Sequence, residues 1–155
     1  MRFTFAFLLL LVAIATALPF PKDKSSSNKK ELVKGINDNL KAGDKEISAT
    51  EKAQNAAKKN DSKGLKKDEK KINGALDEAI KDRKKNQKLA GTKDKALTTG
   101  LGKVETAQNG AKKTVKGLTG DPKKDKGSLD KLDATFKKGK ATNTENLKEA
   151  KKNFH

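Results

Sequence analysis

The amino-acid sequence predicts an all-α fold, an antiparallel four-helix bundle built from a duplicated helical hairpin. Apolar residues recur at helical spacing through four segments, stretches rich in Gly, Asn, Asp and Pro separate them, and one segment recurs later in the chain. The clearest stripe has spacings of four and three: Leu97, Leu101, Val104, Gln108, Ala111, Val115 and Leu118. Because a lone amphipathic helix cannot bury such a stripe, the spacing predicts helices that pack together.

The first 17 residues have the three parts of a secretory signal peptide: a positive charge at Arg2, an apolar run, and the small-residue site Ala15-Thr16-Ala17. We therefore predict cleavage after Ala17 and a secreted, extracellular protein. A membrane anchor is the alternative, but residues 3–17 are fewer than the roughly 20 apolar residues that a span needs. Residues 18–27, which contain two prolines and a serine run, are predicted to be an unstructured leader.

Residues 28–155 are the predicted helical domain, with hairpins at 28–90 and 92–155. Asn28 and Glu31 have the spacing of a capping box, which predicts the start of the first helix. The stripe of this helix keeps heptad phase: Val33, Ile36, Leu40, Gly43, Ile47, Thr50, Gln54 and Ala57.

A turn is predicted at residues 60–64, because Asp or Ser can cap the next helix and Gly permits a reversal. Asn60 also belongs to an Asn-x-Ser sequon, so it is a candidate glycosylation site, with an unused chance match as the alternative. The second helix follows, with this stripe: Leu65, Ile72, Leu76, Ala79, Ile80 and Arg83.

The last two helices are separated from their neighbours by Gly91-Thr92 and by Gly120-Asp121-Pro122, where Thr92 can cap the third helix and Pro122 suits the first turn of the fourth. The stripe of the fourth segment is Leu129, Leu132, Phe136, Asn143, Leu147, Ala150 and Phe154. Residues 139–144 are poor helix formers, so the segment is either one long helix or two shorter ones.

An internal repeat supports the duplicated hairpin. Residues 51–59, EKAQNAAKK, return at 105–113 as ETAQNGAKK, and the two stripes coincide there. Gln54 and Gln108 occupy equivalent places. They either hydrogen-bond within the core and fix the helix register, or face solvent at the edge of the stripe, and the sequence slightly favours the second.

Composition predicts low stability. The formal net charge is +17, charged residues make up 37% of the chain, and cysteine is absent, so no disulfide supports the small apolar core. A chain that orders fully only with its partner is the alternative.

Enzymatic chemistry is not expected. The only histidine is His155, and without cysteine the usual nucleophile and base pairs and zinc ligand sets cannot form. The carboxylates lie among lysines at the spacings of surface ion pairs. We therefore predict a non-enzymatic protein with no cofactor and no metal site.

The lysines indicate a binding function. Their distribution predicts attraction to an anionic polymer or an anionic cell surface, and binding that weakens with salt. Sequence-specific nucleic-acid binding is not expected, because lysine lacks the bidentate fork of arginine and the chain has no Tyr or Trp for base stacking. Eight lysines in adjacent pairs are the candidate polyanion-binding residues: Lys58, Lys59, Lys66, Lys67, Lys84, Lys85, Lys112 and Lys113. The alternative is that the lysines only keep the protein soluble.

Two other functions stay open. The amphipathic helices could act on an anionic membrane surface as a toxic or antimicrobial protein, or the opened bundle could coat an apolar surface or lipid as a structural or carrier protein. With its signal peptide, small size, lack of cysteine and amphipathic helices, the chain resembles small helical proteins secreted by fungi at the cell wall and lysine-rich secreted effectors of parasites. That resemblance implies a role at a cell surface or host interface, including virulence. The sequence does not determine the oligomeric state.

Overall fold

The structure, a computed structural model, describes residues 24–92 and 94–154. Four helices span α1 Lys24–Lys58, α2 Ser62–Ala90, α3 Lys95–Lys116 and α4 Pro122–Lys152, and no strand occurs in these ranges. Helix α1 packs against α2 and α4, and α3 packs against the same two helices. Since short turns join consecutive helices, this arrangement is an antiparallel four-helix bundle, as the sequence predicts. The predicted signal peptide and residues 18–23 of the predicted leader lie outside the described residues.

Aspartates begin three of the four helices. Asp61, Asp94 and Asp121 cap α2, α3 and α4, and each side chain accepts a hydrogen bond from a backbone N–H two or three residues later. Of the two residue types predicted to cap α2, the aspartate at 61 does so, and Pro122 lies in the first turn of α4 as predicted. Asp94 and not Thr92 caps α3. Helix α1 begins at Lys24, before Asn28, so the last residues of the predicted leader are helical.

Helix α4 is continuous. The helix runs from Pro122 to Lys152 without a break at residues 139–144, which settles the choice between one helix and two. Burial of Phe136 and Asn143 on either side of Gly139 joins the two halves to the core. Tertiary packing therefore outweighs the poor helix propensity of this stretch.

Two apolar clusters form the core, one at each end of the bundle. The two-turn end holds the α1–α2 and α3–α4 turns, and its buried residues are Ala49, Ala53, Ala56, Ala57, Leu65, Ile72, Leu76, Ala111, Val115, Leu129, Leu132 and Phe136. The one-turn end holds the α2–α3 turn, and its buried residues are Leu32, Ile36, Ala90, Leu97, Leu101, Ala150 and Phe154. The predicted stripes of α2, α3 and α4 supply most of both clusters.

Half of the predicted stripe of α1 is buried as expected, at Ile36, Gly43, Thr50 and Ala57. The other half is displaced by one residue from the row that is buried. Leu40 and Ile47 are only partly buried, whereas the preceding residues, Asn39 and Glu46, are 2% and 5% exposed. Helix α1 packs against both α2 and α4, so its buried face is wider than a single stripe. The centre of that face lies beside the more apolar row that contains Leu40 and Ile47. The predicted row containing Gln54 faces α4, where the Gln54 amide donates a 2.8 Å hydrogen bond to Asp130.

Alanines bring α1 close to α2. Ala42, Ala49 and Ala56 are buried in one row of α1, and Ala75 and Ala79 are buried on the facing helix. Small side chains allow two helix backbones to approach closely. At the edge of this contact the Lys45 ammonium lies 2.8 Å from the Glu78 carboxylate of α2. No helix among the described residues is long and apolar enough to span a membrane.

Candidate functional site

The eight lysines predicted to bind polyanions lie on three helices and one turn. Seven of them make no ion pair with a described residue. The exception is Lys112, which is partly buried and lies 2.5 Å from the Asp77 carboxylate of α2. Its ammonium also donates a hydrogen bond to Asn73, so the charge of Lys112 is neutralised within the bundle.

Adjacent lysines do not point the same way on a helix, because consecutive residues are separated by about 100°. Lys84 and Lys85 instead combine with Lys81 and Lys88, at spacings of three, four and seven residues. These four side chains, which we call the α2 lysine cluster, line a shallow surface groove of about 480 Å³ together with Ile80 and Asp77. The sequence interpretation missed Lys81 and Lys88, although their helical spacing was the available signal.

Among the described residues, the carboxylates near the α2 lysine cluster do not form ion pairs with it. None of its four lysines forms an ion pair with a described residue, and Asp77 is already paired with Lys112. On the α1 side of α2, burial together with the carboxylates of Asp38 and Glu78 raises the pKa of Asp82. The four ammonium groups are exposed, and the nearby carboxylates of Asp82 and Glu105 offset only part of the positive potential at Lys81 and Lys84.

Two larger grooves between neighbouring helices also contain lysines. A groove of about 490 Å³ between α2 and α3 is lined by Lys66, Lys70 and Lys116, with Glu69 among them. A larger groove of about 780 Å³ between α3 and α4 is lined by four lysines, but Glu145 and Glu149 lie between them. The carboxylates reduce the positive potential of both grooves, so the α2 lysine cluster is the stronger candidate for an anionic ligand.

A buried polar layer separates the two apolar clusters. Its buried side chains come from all four helices: Asn39, Glu46, Arg83, Asn86, Gln108, Asn143 and Asn146. The Asn143 amide donates to Asn39, whose own amide donates a 2.5 Å hydrogen bond to the Ala79 carbonyl. This chain of hydrogen bonds joins α4, α1 and α2 through the centre of the bundle.

Arg83 is the largest polar side chain in this layer. Its predicted place in the α2 stripe is confirmed, since the residue is 2% exposed. The guanidinium donates hydrogen bonds of 2.8 Å to Gln108 and 2.7 Å to Gln87, and lies 2.7 Å from the Glu105 carboxylate. The hydrogen bond from Gln87, together with the charge of Arg83, lowers the pKa of Glu105.

The two repeat glutamines therefore occupy different environments. Gln108 is 6% exposed and accepts the Arg83 hydrogen bond, so it lies in the core. Gln54 lies at the edge and bonds to α4. Gln54 and Gln108 do not hydrogen-bond to each other. Gln108 follows the prediction of a hydrogen bond within the core, and Gln54 follows the prediction of a place at the edge of the stripe.

Glu46 and Asn86 are the members of the polar layer that have a buried side-chain oxygen without a hydrogen-bond partner among the described residues. In Glu46 this oxygen is Oε1. The Glu46 side chain borders a cavity of about 20 Å³ lined by residues of α1, α3 and α4, among them Gln108 and Asn143. Burial raises the pKa of Glu46 to about 8.

The sequon residue Asn60 lies exposed in the α1–α2 turn. Its φ of 53° is in the left-handed region, which Asn tolerates better than most residues. The site is accessible, and its glycosylation stays a prediction.

Comparison with protein-family models found no match to the chain. The comparisons with curated proteins and with solved structures found none either.

Proposed function

We propose that the protein is a secreted, non-enzymatic, cationic binding protein that contacts an anionic polymer or surface through the α2 lysine cluster. The observation that carries the proposal is four exposed lysines within two turns of one helix, none of them ion-paired with a described residue. Such a group attracts a polyanion and releases its counterions on binding.

The proposed partner is a linear anionic polysaccharide. Lysine ammonium groups act as point charges, so they suit sulfate and carboxylate groups without selecting a base sequence. From Lys81 to Lys88 the cluster extends about 10 Å along the helix, the length of roughly two sugar units. Secretion, proposed from the pattern of residues 1–17, would bring the protein to cell-surface polymers of this kind.

Membrane activity is a weaker candidate, because the apolar side chains that would enter a bilayer form the two clusters of the core. Insertion would require the helices to separate first. Release of a dye from anionic vesicles would favour this function over polysaccharide binding.

Heparin is the probe for the first test. We expect Lys84→Glu/Lys85→Glu to lower heparin affinity at least tenfold and to reduce the dependence of log K on log salt, because two contacts become repulsive. Titration calorimetry at several salt concentrations measures both quantities.

Lys58→Glu/Lys59→Glu is the matched control, since it makes the same change in net charge at the α1–α2 turn. A smaller loss of affinity in this control would support the cluster. Equal losses in both variants would show that net charge alone drives binding, and unchanged affinity in both would overturn binding through the α2 lysine cluster.

A further inference from the structure

Three features distinguish Glu46 from an ordinary glutamate on the protein surface. Its side chain is 5% exposed, its Oε1 atom is unpartnered, and it borders a cavity of about 20 Å³. A cavity of that size holds about one water molecule. Since an ionised carboxylate needs several hydrogen bonds to replace its hydration, one water does not satisfy it.

The charged groups around Glu46 are engaged elsewhere. From α4, Lys140 borders the same cavity, but its ammonium lies 2.5 Å from Asp44 of α1 at the surface. Gln108 of α3 borders the cavity and accepts a hydrogen bond from Arg83 of α2, whose guanidinium is paired with Glu105 of α3. Among residues 24–92 and 94–154, no cation therefore forms an ion pair with Glu46 in the closed bundle.

The position of Glu46 matters as much as its surroundings. The polar layer lies between the two apolar clusters, so a charge there acts at the section of the core with the least apolar packing. Opening at this level would loosen α1 from α4 and give water access to both clusters.

We propose that Glu46 is a proton-controlled latch: while it is uncharged the helices close around the cavity, and its ionisation separates them and exposes their apolar stripes. The latch is independent of the proposed polysaccharide binding. It would give the protein a tightly closed form at acid pH and an opened form, with accessible apolar surface, at alkaline pH.

The direction of the effect follows from linkage. The pKa of Glu46 is about 8 in the folded state, above the ordinary value of 4.5. The stabilisation by the bound proton is therefore complete below pH 4.5 and is lost as the pH rises towards 8. Over that interval the equilibrium constant for opening should increase about tenfold per pH unit.

The test measures opening of the protein between pH 5 and 9 by hydrogen exchange with mass spectrometry and by Nile red fluorescence. Exchange rates are corrected for the intrinsic effect of pH. We expect faster exchange in residues 39–50 and 136–146, and greater fluorescence, as the pH rises. In Glu46→Gln, whose amide cannot ionise, both increases should be at least tenfold smaller.

Glu51→Gln is the matched control on the same helix, because Glu51 is exposed and pairs with Lys137 at the surface. It should keep the wild-type pH profile. If Glu46→Gln does not fold, Glu46→Leu serves as the second variant, since an apolar side chain can occupy the same space. Parallel pH profiles in wild type and in the folded Glu46 variant would overturn the latch.

Discussion

The two ends of the bundle differ in how they are held together. Among the described residues, twelve buried residues pack at the two-turn end, and seven pack at the one-turn end. Two helix-to-helix turns close the first end, whereas only the α2–α3 turn closes the second. We therefore expect the two-turn end to be the stable part and the one-turn end to open first.

The polar layer makes this difference possible. A continuous apolar core would couple both ends into one cooperative unit, but here buried amides, Arg83 and Glu46 intervene. Their hydrogen bonds define how the helices align, while they contribute less net stabilisation than apolar packing. A substitution at one end of the bundle should therefore affect the packing of that end more than the packing of the other.

The largest expected effect comes from removing one leucine at each end. Leu129 and Leu97 are both fully buried, at the two-turn and one-turn ends respectively. We expect Leu129→Ala to lower the free energy of unfolding by about 4 kcal/mol, and Leu97→Ala by about 3 kcal/mol, because the one-turn end can relax around a cavity. Chemical denaturation measures both losses, and a larger loss for Leu97 would reverse the proposed order of the two ends.

Effects of intermediate size are expected from the aspartates that hydrogen-bond to the turns at the two ends. Asp125, 2% exposed, accepts hydrogen bonds from the backbone N–H groups of Thr119, Gly120 and Asp121 in the α3–α4 turn. Asp94 accepts one, from Leu97, in the α2–α3 turn. We expect Asp125→Asn to cost about 2 kcal/mol at pH 6, and Asp94→Asn less than about 1 kcal/mol, since Asn also caps helices well.

The stabilisation by Asp125 should also depend on pH. Burial works against the charged form of Asp125, but the hydrogen bonds from Thr119, Glu69 and Gly120 together lower its pKa below the ordinary 3.8. The stabilisation is thus present above that value and is lost as the pH falls through the lower, folded-state pKa. Thermal melting from pH 5 to pH 2 should show the difference between wild type and Asp125→Asn shrinking. A constant difference would contradict the charged role of Asp125.

The smallest expected effect is stabilising. Gly110 and Gly102 both lie on α3, near the two-turn and one-turn clusters respectively, and a Cβ atom added at either would meet open space. Alanine at each position should raise the free energy of unfolding by about 0.5–1 kcal/mol through helix propensity. Thermal and chemical denaturation measure both gains, and equal gains would indicate that both ends unfold in one transition. A gain at Gly110 alone would indicate that the one-turn end is already open before global unfolding.

Most of the fold was predictable because three stripes are strongly apolar. Leu101 and Val104 in α3, or Leu129 and Phe136 in α4, are separated by helical spacings and are buried as predicted. Asp121 and Pro122 likewise determine where α4 begins. These signals are local, so they can be read without knowing which helices are neighbours.

The polar layer could not be predicted in the same way. In α1 the row of Val33, Leu40 and Ile47 is more apolar than the row that contains Asn39 and Glu46, yet the second row is more buried. What decides between the rows is the position of α2 and α4 on either side, and this is tertiary information. The full α2 lysine cluster was missed for a related reason, since helical spacing adds Lys81 and Lys88 to the adjacent pair of Lys84 and Lys85.

The asparagine contacts in the polar layer also bear on the order of folding. Asn39 bonds to a partner 40 residues away in α2 and to one 104 residues away in α4. Closing the shorter loop loses less chain entropy, so the α1–α2 hairpin, already tightly packed through its alanine row, is expected to form first. The contact between Asn39 and Asn143 then forms late, when the ring of helices closes. Substitutions at Asn143 should therefore speed unfolding and leave the folding rate nearly unchanged.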